Sequence, residues 1–93
     1  MAANVIPLLQ RMFEQYSNQL SRVMEQVRQL PNYQISWPTV HELMRNLQHE
    51  FFKLRRIGNK CLSLVNGEEQ RKNIRVLLEH IDRKIELCQS MGE

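Results

Sequence analysis

Apolar side chains recur along this chain with one dominant spacing. From Ile6 they run Ile6, Leu9, Phe13, Tyr16, Leu20, Val23, Val27 and Leu30, in alternating steps of three and four. That is the spacing that keeps side chains on one face of an α-helix, so the pattern predicts a first helix over about residues 5–30. Pro31 and Pro38 bracket the next stretch, which cannot continue the helix because proline lacks the N–H that the ladder needs. Tyr33, Ile35 and Trp37 in this stretch are expected to fold back onto the helices.

A second seam follows as Val40, Met44, Leu47, Phe51, Leu54, Gly58, Cys61 and Val65, with Leu43 and Ile57 expected to widen it. It predicts a helix over about 38–65 that begins at Pro38, or at Thr39 with Glu42 as its capping-box partner. Gly58 lies on this seam, where a glycine either ends the helix or lets a neighbour approach closely. The period resumes in phase after it, which favours continuation. Asn66-Gly67 supplies the stop, and Asn66 stands at cap spacing from Glu69 for a third helix over about 68–91, with Glu68 and Glu69 on the positive end of its dipole. The third seam is Ile74, Leu78, Ile81, Ile85 and Cys88, with Leu77 beside it and Met91 trailing.

Three helices of nearly equal length, joined by short links, predict an all-α fold: an up-down-up antiparallel three-helix bundle with coiled-coil-like seams, one domain over residues 1–93, its seams buried without overhang. With Ile6 and Leu9 at the core positions, the flanking positions of the first helix are Gln10, Ser17, Met24, Met12, Gln19 and Gln26, none of them charged. A two-stranded zipper sets its partner and register with charges at those positions. Neutral flanks suit a helix that touches two neighbours, in the same chain or in another.

Composition narrows the class. The 93 residues carry 13 Lys+Arg against 10 Asp+Glu, a net charge of +3 that permits an acidic partner without demanding one. The Met1-Ala2-Ala3-Asn4 start has no charged leader region and no apolar run approaches membrane-spanning length, so the expectation is an intracellular protein of the cytoplasm or nucleus. Folding back at Asn66-Gly67 sets Cys61 and Cys88 ~24 Å apart along the axis, against the ~6 Å a disulfide allows, so both are expected to be reduced core thiols.

No catalytic or cofactor constellation emerges. His41 and His49 are eight residues apart, twice the spacing that would put two zinc ligands on adjacent turns, and His80 stands alone. Gly58, Gly67 and Gly92 are isolated and form no phosphate loop, and none of the serines has a base within sequence reach. The chain is therefore expected to be no enzyme and to hold no metal or cofactor.

Two features point to binding. Lys53, Arg55, Arg56 and Lys60 late in the second helix and Arg71, Lys72 and Arg75 early in the third make a basic cluster that antiparallel folding brings toward one end. Residues 31–67 carry five cations and two acids, whereas 68–93 carry five and six. The cluster either solvates that end and complements the C-terminus of the second helix, or meets phosphate, nucleic acid or an acidic protein. Only Phe51 and Phe52 interleave it with aromatics, which disfavours nucleic acid. The second feature is Phe52, which lies about 130° around the helix from the seam centre, among Arg45, Gln48, His49, Arg55, Arg56 and Asn59. Phe52 is expected either to lie under the 33–37 segment or to stand at the centre of a surface for a protein partner, a second copy or a different chain, with Arg45, His49, Arg55 and Arg56 around it. A weaker off-seam line in the third helix joins Val76, His80, Arg83 and Leu87.

The second helix together with the Arg71-Lys72 pair resembles a BAG domain, a three-helix co-chaperone module. That family carries acidic residues late in this helix, where this chain has Arg55, Arg56 and Gly58. Ser36-Trp37-Pro38-Thr39 is similar to a helix junction in a Mediator head subunit. The resulting expectation is a non-catalytic helical protein-interaction module, an adaptor, co-chaperone or small subunit of a complex; the alternative is phosphate or nucleic-acid contact through the basic end.

Overall fold

The computed structural model describes the backbone of residues 2–29 and 37–92 and the side chains of 6–28 and 38–90. It is an all-α three-helix bundle: α1 Ala2–Gln29, α2 Trp37–Leu64 and α3 Glu68–Gly92, with no strand among the described residues. The seams explain the assembly. Every seam position from Val40 in α2 to Val65 just past its end is buried, and Ile74, Leu77, Ile81, Ile85 and Cys88 of α3 join them in one core with Ile6, Leu9 and Leu20 of α1. Phe51 is its largest member, fully buried, with Phe13 and Tyr16 set edge-on to its ring at centroid distances of 6.0 and 6.1 Å.

The helix boundaries refine the sequence expectation. α1 starts at Ala2, so Pro7 lies past the first turn and withholds the N–H that the Ala3 carbonyl would have accepted. α2 begins at Trp37, which puts Pro38 in the first turn, where its missing N–H costs nothing, and Thr39 inside the helix rather than at its cap. The N-cap of α3 is Gly67, one residue later than Asn66: its carbonyl accepts the Arg71 N–H at 3.0 Å. Gly67 also does not take the left-handed conformation of a glycine helix stop. The stop is made by a side chain instead. Nη1 of Arg71 donates to the Leu62 carbonyl at 2.8 Å and to the Val65 carbonyl at 3.4 Å, satisfying acceptors that the end of α2 leaves open.

α2 runs straight through Gly58. A side-chain carbon there would sit 2.8 Å from Cδ2 of Leu78, so the glycine is the point of closest approach between α2 and α3. Leu78 is half-buried as a result, and Leu77 takes the deeper position. The Arg55–Asp82 ion pair, at 3.3 Å, fixes the same register.

Continuing α3 from Asp82 at ~1.5 Å per residue brings Gly92 level with the Arg45 turn of α2. The 28-residue helices α1 and α2 therefore outrun the 25-residue α3 at that end, contrary to the expected absence of overhang. Val23, Met24 and Val27 lie on this stretch of α1 and are only half-buried. Leu43 and Ile57 do not widen the buried seam either: they are 40% and 39% exposed, on the edge of α2 that faces α1, which packs less extensively than α3 does. Tyr33 and Ile35, expected to fold back, lie outside the described residues, as does the side chain of Trp37.

Candidate functional site: the Phe52 face of α2

The period that buries Phe51 turns its neighbour outward. Phe52 is 40% exposed and forms, with Arg55, Arg56 and Asn59, a shallow depression of about 290 Å³ on the solvent side of α2. Arg55 is anchored there by Asp82 of α3, with both side chains about half exposed, so the pair orients the guanidinium more than it stabilises the fold. Arg56 lies on the other side of Phe52, and Arg45 two turns earlier; both are exposed and neither makes an ion pair among the described residues.

His49 is exposed and also borders a second surface. It lines a depression of about 220 Å³ between α1 and α2 with Gln19, Val23, Leu43, Asn46, Leu47 and Glu50. On that flank the Glu50 carboxylate accepts from the Tyr16 hydroxyl, and burial followed by this bond and charge raises the Tyr16 pKa above its ordinary value. The same carboxylate pairs with Lys53 at 3.3 Å.

The basic cluster is divided by the fold. Arg71 is committed to the C-terminal carbonyls of α2, Lys53 to Glu50 and Arg55 to Asp82. Arg71, Lys72 and Arg75 line an open depression of about 420 Å³ at the start of α3, but Glu68 and Glu69 line it as well and offset their charge. Lys60 is exposed and lines neither this depression nor that of Phe52.

Two features escaped the sequence because they depend on axial register rather than helical phase: the Arg55–Asp82 pair and the Arg71 clasp. A cation just past a helix stop is the available signal for the second. The hydroxyl of Ser17 is buried with no hydrogen-bond partner among the described residues.

Both cysteines are buried and free. Burial pushes the Cys88 thiol up to about 11, with Lys84 opposing, so at neutral pH it is protonated and a poor nucleophile. Among the described residues no three His, Cys, Asp or Glu side chains converge as metal ligands, and no helix is long and apolar enough to cross a membrane.

The class these observations define is the all-α three-helix bundle. No protein-family model matches the chain, and no curated protein or solved structure matches it either.

Proposed function

We propose that this chain is a non-catalytic helical module that binds other proteins, as an adaptor, co-chaperone or small subunit of a larger assembly, and that Phe52 stands at the centre of its binding surface. The observation that carries this reading is an aromatic ring 40% exposed in a depression whose other walls are Arg55, Arg56 and Asn59. Aromatic and arginine side chains are enriched among the residues that dominate binding energy at protein interfaces, aromatics because they offer a large, rigid contact surface and arginine because its planar fork makes several directed hydrogen bonds. A single exposed apolar residue would mean little. Here the ring is set among arginines whose stems extend the contact.

The test compares two adjacent phenylalanines. Phe52→Ala is expected to weaken a partner recovered with the tagged chain by about 30-fold, equivalent to ~2 kcal/mol, while leaving the fold nearly as stable. Phe51→Ala removes a fully buried ring and two edge-on aromatic contacts, and is expected to cost ~3–5 kcal/mol of stability. Equal destabilisation by both, with partner binding kept in the folded Phe52→Ala protein, would refute the proposal.

The alternative, phosphate or nucleic-acid contact through the basic end, draws on Lys72 and Arg75 in the depression at the start of α3. It predicts a tight complex with a generic duplex or single strand whose affinity falls steeply with salt. The prior commitment of Arg71, Lys53 and Arg55 favours the protein-binding reading, under which no such complex tighter than micromolar forms at physiological salt.

A further inference from the structure

Resting on the reading of Phe52 as a binding centre, we infer that its face takes an acidic amphipathic helix, with an apolar residue seated on Phe52 and carboxylates on both sides of that residue meeting Arg45 and Arg56. Arg45, Phe52, Arg56 and Asn59 are separated by seven, four and three residues, the spacing that keeps side chains on one helix face. All four are exposed, so the stripe is a continuous outer line on α2. The span from Arg45 to Arg56 is ~16 Å along the axis, which a second helix lying alongside matches with the same repeat.

Among the described residues neither Arg45 nor Arg56 makes an ion pair. From Phe51 to Leu64, α2 contains no acidic residue. Its two acids are Glu42, which makes no ion pair among the described residues, and Glu50, which is engaged with Tyr16 and Lys53 on the flank facing α1. Asp82 of α3 reaches the edge of the site but is paired with Arg55, and neither it nor Glu86 lines the depression. The cations left on this line, Arg45 and Arg56, are both arginines, whose planar forks donate paired hydrogen bonds to a carboxylate. An apolar centre between two such forks selects a ligand with an apolar anchor between acids, a pattern that peptide helices provide and bare phosphate does not.

The assignment fixes a spacing. Relative to its anchor, a parallel partner helix carries acids seven residues before and four after, and an antiparallel one carries them four before and seven after. The probe is a phage-displayed library of single-helix peptides, selected against the full chain. The expected result is a set of binders lost on Phe52→Ala, enriched in Asp or Glu on both sides of a Leu, Ile, Met or Phe anchor. A synthetic representative binds Arg45→Glu/Arg56→Glu at least about tenfold more weakly than the native chain, and exchanging its acids for lysine restores binding to that variant. Should the double reversal unfold the chain, as read by circular dichroism, Arg45→Gln/Arg56→Gln serves with the same expected direction. Binders that require Phe52 but show no acidic enrichment and no response to either pair of substitutions would overturn the acidic partner and leave the binding face standing. A selection that yields no Phe52-dependent binder counts against both.

Discussion

Gly58 offers the most direct test of how α2 and α3 meet. Replacing it by alanine has two opposed effects. Within a helix, alanine is favoured over glycine by ~1 kcal/mol. The new carbon would lie 2.8 Å from Cδ2 and 3.5 Å from Cγ of Leu78, however, where relaxed carbon contacts fall near ~3.5–4.0 Å. The δ-methyl must therefore retreat by about 1 Å. It is the far end of a half-buried side chain, so it has room to move, at the ~1–3 kcal/mol typical of an overpacked contact. Gly58→Ala is accordingly expected to leave stability unchanged or lower it by up to ~2 kcal/mol. In a Leu78→Ala background the obstructing atoms are gone, and the same substitution should stabilise by ~1 kcal/mol. The two backgrounds then differ by ~1–3 kcal/mol, measurable by denaturant unfolding of the four proteins of a double-mutant cycle, followed by far-ultraviolet circular dichroism. A coupling below ~0.5 kcal/mol, with Gly58→Ala stabilising in both backgrounds, would show that the helices do not touch at this glycine.

Three further expectations follow from single side chains. Arg71→Ala removes charged donors from two partly buried carbonyls and should cost ~1–2 kcal/mol in denaturant unfolding, with Arg71→Lys recovering part of it; an unchanged midpoint would sink the clasp. Ser17→Ala relieves a buried hydroxyl that has no partner among the described residues and should raise stability by ~0.5–1 kcal/mol, whereas a loss of that size would reveal a bond the structure does not show. Burial holds Cys88 protonated up to about 11, while the unfolded chain gives up this proton near the ordinary value of 9.0. The unfolded state thus binds fewer protons between those values, so stability is unaffected by this group below pH 9.0 and falls as pH rises toward 11, by up to ~1.4 kcal/mol per unit. Tyr16 adds to the slope in the same direction, so the measurement is the difference between the native chain and Cys88→Ala; equal slopes would refute the assignment.

Helical phase was legible in the residues because it depends only on which face each apolar side chain occupies. The α2 seam from Val40 to Val65, the outward turn of Phe52 and the continuation through Gly58 all follow from that periodicity. What periodicity cannot carry is how far each helix slides along its neighbours and how closely it is pressed. For that reason Val23 and Val27 have the same spacing as Leu9 and Leu20 yet end up half-buried, and Leu43 and Ile57 sit on an edge that α1 leaves open. The candidate site divides in the same way. Arg55, Arg56 and Phe52 share one helix and line one depression, whereas His49 lines the depression between α1 and α2 and the cations of α3 stand in one of their own.

The unequal packing of α1 gives the molecule two levels of stability. α2 and α3 are consecutive in sequence, pair most extensively and are held together by the close approach at Gly58 and by the Arg71 clasp; α1 joins them with much of its seam half-covered. The link of residues 65–67 closes with little entropy cost and joins the most extensively packed pair, so the α2–α3 hairpin is expected to form before α1 docks. In the folded protein the same asymmetry is reversed in time. Native-state hydrogen exchange is expected to find the backbone amides of α1 trading their hydrogens for solvent deuterium ahead of those of α2 and α3.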